Sequence, residues 1–153
     1  MTDRNEQAEG AASQSDSERF ACRAARLLSD NACEDVVALD VRGISQVTDF
    51  FVIATGTSER QMRSVLQDLG RLAELDGEGI YGSNAKQGGS WLVLDVVDVV
   101  VHLFTYEQRA YYDLASLWGD ASRVDWRSVT TPGEFADIRA RIAARRRPDS
   151  AAG

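Results

Sequence analysis

Residues 91–104, Trp-Leu-Val-Leu-Asp-Val-Val-Asp-Val-Val-Val-His-Leu-Phe, constrain the fold more than any other segment of this chain. Two runs rich in β-branched and aromatic residues, 91–96 and 99–104, predict two adjoining strands joined by a short turn. Residues 105–119 follow at once, and Thr-x-x-Gln at their start predicts a capped helix that ends at a glycine. Strands that lead directly into a helix require a sheet with helices packed against it.

A second apolar run, Asp49–Thr55, predicts a central strand that is buried on both faces. Gly56-Thr57 turns the chain, and Ser58-x-x-Gln61 is a capping box. The helix after it carries apolar residues at helical spacing and is predicted to stop near Gly77. Residues 36–41 are predicted to form a further strand.

The remaining segments complete the pattern. Ser15-x-x-Glu18 predicts a helix that ends at Asp30-Asn31, and the Gly-rich residues 80–89 predict an exposed loop around a short edge strand. Thr131-Pro132 predicts a last helix, with proline at its first position. The order α-β-β-α-β-β-β-α predicts the α/β class, with helices packed on a mixed sheet.

The chain of 153 residues is predicted to hold one domain with tails. Residues 1–16 are polar and acidic and are predicted to be disordered. Residues 17–120 form the predicted domain, and residues 121–153 a linker with a basic C-terminal helix.

Charge and cysteine content limit the functional classes. The formal net charge is −7, so the chain is a poor general binder of phosphate backbones and is suited to a basic protein surface. No apolar run approaches the ~20 residues that a membrane span needs, and nothing at the N-terminus indicates secretion. Cys22 and Cys33 lack metal-ligand spacing, so we interpret them as reduced thiols in a cytoplasmic protein.

The strand 91–96 presents two different faces. Leu92, Leu94 and Val96 form a predicted core face, which leaves Trp91, Val93 and Asp95 on the other. A tryptophan beside a carboxylate has the composition of an interface anchor. The alternative, that Trp91 lies under a helix, is equally compatible with its position.

No combination of residues in the sequence has the composition and spacing of a catalytic site. Asp95 and Asp98 stand three apart, so in an unbroken strand they would point to opposite faces and would not hold a shared metal ion. His102, the only histidine, has no Ser or Cys placed as its nucleophile. The turn Thr55–Ser58 could offer N–H groups to an anion, but it is neither a P-loop nor GxGxxG, and we interpret it as a turn with a helix cap. We predict no catalytic residue, no cofactor and no metal, and therefore no enzyme.

The C-terminal segment is rich in arginine around one narrow apolar stripe, Phe135, Ile138 and Ile142. One hypothesis is that this helix packs on its own domain or on a dimer mate and presents its arginines to RNA. The alternative is a frayed, solvated helix. The arginines concerned are Arg139, Arg141, Arg145, Arg146 and Arg147.

Taken in order, the motifs resemble the Iojap family, the ribosomal silencing factors, from about Ala21 to Ala121. The matching segments are Ala38-Leu-Asp40-Val41, Thr48-Asp49-Phe-Phe-Val-Ile-Ala-Thr-Gly56-Thr-Ser58, Trp91-x-x-x-Asp95, Asp98-Val-Val-Val-His102 and Arg109-x-x-Tyr112-x-Leu114-x-x-Leu117-Trp118.

The resemblance implies a nucleotidyltransferase-like fold without nucleotidyltransferase activity. It also implies binding to the large ribosomal subunit through its protein numbered fourteen, which would block joining of the small subunit and repress translation. Assistance in large-subunit maturation and a homodimer are further implications. The competing hypothesis is a nucleotidyltransferase-like enzyme or a degenerate nucleotide-binding protein.

The resemblance places the partner-binding patch at Trp91, Asp95 and Val96, and we add the neighbouring Asp98. The chain departs from the family at Val97, where the family usually has glycine. A turn that needs a positive φ there would be strained by a β-branched residue. The tail after Asp120 extends past the usual family end.

Overall fold

The computed structural model describes residues 15–84, 89–111 and 119–146. The predicted tail up to residue 14, residues 112–118 of the helix predicted to reach Gly119, and Arg147 lie outside the described residues. The helices are α1 (Asp16–Asp30), α2 (Glu59–Leu75), α3 (Tyr106–Tyr111) and α4 (Ile138–Arg145). The strands are β1 (Glu34–Asp40), β2 (Phe50–Thr55), β3 (Gly82–Ser83), β4 (Trp91–Asp95), β5 (Val99–Phe104) and β6 (Ser122–Arg123).

The six strands form one mixed sheet in the order β3-β4-β5-β2-β1-β6. β2 and β5 lie side by side in the middle and run parallel, and every other neighbouring pair is antiparallel. The α/β class and the mixed sheet predicted from the sequence are therefore confirmed. The continuous apolar run at 49–55 forms a central strand, as predicted.

The two faces of the sheet differ in what covers them. α1 and α2 pack on one face, where the main core gathers Phe20, Leu28, Met62 and Leu69 against the strands. A smaller cluster around Leu39, Val41, Ile53 and Phe104 lies on the other face, with Phe51 and Trp91 packed against it. Alternation along β4 produces this division: Leu92 and Leu94 are buried in the main core, whereas Trp91, Val93 and Asp95 are half-buried on the second face.

The helix caps predicted at Ser15 and Ser58 are present. The hydroxyl of Ser15 accepts a hydrogen bond from the backbone N–H of Glu18, and that of Ser58 accepts one from Gln61. The side-chain oxygen of Gln61 in turn accepts a hydrogen bond from the backbone N–H of Thr57 at 3.0 Å. The residues before α2 and its first turn are therefore joined by two reciprocal hydrogen bonds. Each such cap contributes about 1 kcal/mol to stability.

The C-terminal part differs from its prediction in two places. Residues predicted as a linker contain β6, which pairs with Leu39 and Asp40 of β1, and Trp126, which is buried in the main core. The last helix begins at Ile138 and not at Pro132, because Gly133 has φ +80° and a chain of turns separates the two.

The predicted apolar stripe of this last segment is buried. Phe135, Ile138 and Ile142 are each about 3% exposed, and α4 packs against α2. The segment is therefore docked on its own domain and is not a frayed, solvated helix. Cys22 and Cys33 are also buried, and no disulfide joins them.

The turn between β4 and β5 has the strain expected from its sequence. Val97 has φ +69°, and the N–H of Asp98 donates to the carbonyl of Val96 across it at 2.8 Å. A hydrogen bond of this span around a residue with positive φ is a γ-turn of the rare, strained kind. A β-branched side chain increases that strain, because its Cβ meets the backbone in the left-handed region.

We therefore expect Val97→Gly to raise the free energy of unfolding by about 1 kcal/mol, measured by urea denaturation. The side chain is 51% exposed, so little burial is lost with it. Val129→Gly is the matched control, since Val129 is 55% exposed and does not have a positive φ. Equal destabilisation by both substitutions would show that the turn is not strained.

Candidate partner-binding surface

The register of the sheet assembles one continuous set of side chains on the face away from α1 and α2. Trp91 stands opposite Phe104, Val93 opposite His102, and Asp95 opposite Val100. β2 adds Phe51 beside Val100 in the parallel pairing. We call this set the aromatic face; its members are Phe51, Trp91, Val93, Asp95, Val100, His102 and Phe104.

Trp91 is the largest side chain of the aromatic face and is held by two ring contacts and a hydrogen bond. Its ring centroid lies 4.9 Å from that of Phe104 and 5.9 Å from that of His102. Its Nε1–H donates to Nδ1 of His102 at 3.1 Å. The half-buried indole is fixed without lying under α1 or α2, which the sequence left open.

His102 acts as a packed hydrogen-bond acceptor, as predicted from its position in a strand. Burial lowers the pKa of His102 to about 4, against a small opposing effect of the Asp95 carboxylate. The imidazole is therefore neutral at physiological pH and can accept from Trp91 through Nδ1. A ring from Phe51 contacts it edge-on at 5.4 Å and completes its surroundings on that side.

The carboxylate of Asp95 accepts a hydrogen bond within the chain and is also partly accessible to a partner. Its Oδ1 accepts from the N–H of Val97 at 2.8 Å, which stabilises the strained turn. Asp98 is exposed beyond the turn, and its carbonyl oxygen accepts from the N–H groups of Asp49 and Phe50. The described residues contain no cluster of three or more His, Cys, Asp or Glu side chains that could hold a metal ion.

Val96 does not belong to this surface. Its side chain is 2% exposed and packs in the main core, because alternation turns it away from Trp91 and Asp95. The side chain of Val96 is therefore not accessible to a partner in this conformation, and a role of Val96 in the partner-binding patch, through the turn that carries Asp95, stays a prediction.

Exposed apolar side chains at the adjoining edge of the sheet were not predicted. Tyr81 is 81% exposed and Ile80 49% exposed, and the N–H of Tyr81 donates to the carbonyl of Asp95 at 2.8 Å. Val97 adds a third exposed apolar side chain beside them. The exposed loop around a short edge strand that the sequence predicts here is present, with β3 as that strand, and the exposure of Tyr81 depends on the pairing of β3 with β4.

The turn Thr55–Ser58 forms a helix cap and not an open anion cradle. The N–H of Gly56 donates to the carbonyl of Phe104 at 2.8 Å, and the N–H of Thr57 is taken by Gln61. The guanidinium group of Arg109 donates a hydrogen bond to the hydroxyl of Thr55 at 3.1 Å. These groups already have partners within the chain.

The described tail arginines are engaged within the chain. Arg139 pairs with Asp68 at 3.1 Å, and Arg141 pairs with Asp137 at 2.8 Å. Arg145 donates to the carbonyl of Glu74 at 2.8 Å, and Arg146 pairs with the carboxylate of the same residue. These contacts hold α4 against the rest of the chain. That the same arginines also contact RNA stays a prediction.

Comparison with known proteins agrees with the motifs on β2, β4 and β5. The profile of the family described as "Ribosomal silencing factor during starvation" matches residues 14–152. The chain belongs to the ribosomal silencing factor family. The family match takes in β6, Trp126 and α4, beyond the part of the chain in which the sequence motifs were recognised.

Relatives and a solved structure are similar over about two thirds of the chain. "Ribosomal silencing factor RsfS" of Halalkalibacterium halodurans is 40% identical over 106 residues, 69% of this chain and 91% of that protein. "Protein Iojap, chloroplastic" of Arabidopsis thaliana is 34% identical over 69% of this chain and 44% of its own length. A crystal structure of a protein from Bacillus halodurans is similar with a TM-score of 0.56 and 37% identity, covering 69% of this chain and 93% of that one. No helix among the described segments of this chain is long and apolar enough to cross a membrane.

Proposed function

We propose that this chain binds the large ribosomal subunit through the large-subunit protein numbered fourteen, blocks joining of the small subunit and so represses translation. It does this by occupying a surface and not by catalysing a reaction. The observation that carries the proposal is the aromatic face: Trp91 is half-buried and fixed by His102 and Phe104, with Asp95 four residues along the same strand and on the same face.

A fixed indole suits an interface anchor. Binding immobilises side chains at a cost of about 0.5–1.5 kcal/mol each, and a ring already held by a hydrogen bond and two ring contacts avoids most of it. Tryptophan is also enriched among the residues that dominate binding energies. The face needs little rearrangement to dock.

The charge of the chain supports a basic protein as the partner. Asp95 and Asp98 stand at the end of β4 and beyond its turn, on a chain of formal net charge −7. Complementary charge mainly raises the association rate and selects the partner, while the buried centre of the interface provides most of the affinity. The exposed Tyr81 and Val97 extend the contact at the sheet edge.

Further parts of the proposal follow from family membership. We propose that the chain works in the cytoplasm, assists maturation of the large subunit and forms a homodimer when free. The tail arginines, Arg147 included, are proposed to lie near ribosomal RNA once the aromatic face has docked.

Sucrose-gradient sedimentation with purified subunits tests the proposal. The protein should migrate with the large subunit and not with the small one, and added salt should weaken the association because it screens exposed charges. Equal migration with both subunits, or with neither, would contradict the proposal.

Asp95→Asn isolates the ionic contribution of the surface. Asparagine keeps an Oδ1 that can accept from Val97, so the turn is preserved while the charge is lost. Because Asp95 is half-buried, we expect a loss of about 2 kcal/mol, roughly thirtyfold in affinity for the large subunit at low salt.

Asp125→Asn is the matched control for this substitution. Asp125 is exposed and follows β6, at the opposite edge of the sheet from β3 and β4. It should bind like the unmodified chain. The same affinity for both variants would remove Asp95 from the partner-binding surface.

A further inference from the structure

The outer side of α2 carries a groove that the proposed docking of the aromatic face does not use. It is an open groove of about 350 Å³ lined by Arg60, Arg63, Ser64 and Gln67, and we call it the arginine groove. α4 borders it, because a guanidinium N–H of Arg139 donates to the hydroxyl of Ser64 at 3.0 Å.

Arginines outnumber carboxylates along this side of the molecule. Asp68 is shared by Arg71 at 2.6 Å and Arg139 at 3.1 Å. Glu74 receives Arg145 on its backbone carbonyl and Arg146 on its carboxylate. The Asp68 carboxylate therefore faces two guanidinium groups, and Glu74 has one on its carboxylate and one on its backbone carbonyl, so each acidic residue is outnumbered by the arginines that contact it.

Arg60 and Arg63 add two further charges. Both are exposed, and neither forms an ion pair within the described part of the chain. They stand three residues apart on α2 and so lie on the same side of that helix. The neighbouring Glu59 accepts from the N–H of Gly89 at 3.0 Å and is engaged there.

We propose that the arginine groove binds the phosphate backbone of ribosomal RNA on the large subunit. A concentrated positive surface on a chain of net charge −7 needs a strongly acidic partner, and guanidinium groups match phosphate oxygens in paired geometry. The contacts of α4 hold Arg139 in place beside the groove, and Arg60 and Arg63 supply the new bonds. The inference rests on the proposed function, since it assigns a second contact within the same complex.

The salt dependence of large-subunit binding tests this assignment. Arg60→Gln with Arg63→Gln should remove about two phosphate contacts, so between 50 and 200 mM salt the unmodified chain should lose about tenfold more affinity than the variant. Arg19→Gln with Arg123→Gln is the control: it changes the net charge equally, at two exposed arginines off the groove, and should keep the original salt dependence. An equal change in both variants, or no change in either, would overturn the assignment.

A photoreactive p-benzoylphenylalanine at Gln67 identifies what enters the groove when the chain is bound to large subunits. We expect an adduct that ribonuclease shortens. An adduct to protein alone, or none, would overturn the assignment even if the subunit still binds. Failure of the unmodified chain to bind the large subunit at all would instead remove the proposed function and this inference with it.

Discussion

Gly56→Ala should lower the free energy of unfolding by about 3 kcal/mol. A Cβ built on Gly56 would stand 2.8 Å from the sulfur of Met62 and 2.9 Å from Oε1 of Gln61, and it would overlap Cγ of Met62. Met62 is fully buried, so its side chain has no room to withdraw. Overfilling a packed site of this kind costs about 1–3 kcal/mol, and contact with three atoms places this site at the upper end.

Gly70→Ala, within the helix α2 that follows this turn, is the control. A Cβ there meets only Cδ1 of Ile80 at 3.7 Å, an ordinary contact. Alanine is the better helix former, so this substitution should stabilise the protein by about 0.5–1 kcal/mol. Thermal and urea unfolding of both variants measure the difference. A Gly56→Ala protein as stable as the unmodified chain would show that the turn after β2 is not closely packed.

His102 should make stability fall as the pH is lowered from about 6.5 to about 4. Burial lowers its pKa in the folded protein to about 4, from an ordinary value of 6.5. The unfolded chain therefore binds a proton in this range that the folded chain excludes, so protons favour unfolding. Stability is fully present above pH 6.5, and the two pKa values correspond to a loss of up to about 3 kcal/mol by pH 4.

The substitution His102→Asn separates this effect from the titration of carboxylates. The amide oxygen of asparagine can accept from Trp91 in place of Nδ1, and the side chain does not titrate. Urea unfolding at several pH values should show a variant whose stability changes less between pH 6.5 and 4. The same pH dependence in both proteins would mean that His102 is protonated in the folded state.

The sheet could be predicted wherever burial leaves a pattern in the sequence. β2 is an unbroken apolar run because both of its faces are covered, and β4 alternates because its two faces differ. β3 and β6 have only two residues each, so no periodicity marks them: β3 was predicted as a short edge strand without its bounds, and β6 was not predicted. Their strand character comes from the neighbours with which they pair, β4 and β1.

The start of α4 shows how a local signal can mislead. Thr131-Pro132 has the composition of a helix start, but Gly133 takes a positive φ and delays the helix to Ile138. The burial of Phe135 against Arg23, whose guanidinium lies 4.9 Å above its ring, fixes that path. This contact joins two residues that are distant in the sequence, and helix propensities of single residues contain no information about such contacts.

The candidate surface was predictable in part. The period of β4 placed Trp91 and Asp95 on one face, and the same rule identified Val96 as core. The hydrogen bond between Trp91 and His102 joins diagonal neighbours of the pair β4–β5, so it required the register. The exposure of Tyr81 required the position of β3.

Joining of purified subunits, followed by light scattering, tests most directly whether the chain acts by occupying the large subunit. With large subunits incubated first with the protein, the joined fraction should fall in proportion to the amount bound. Asp95→Asn should need roughly thirtyfold more protein for the same inhibition, as its affinity loss implies. Joined ribosomes that still carry the bound protein would contradict the account.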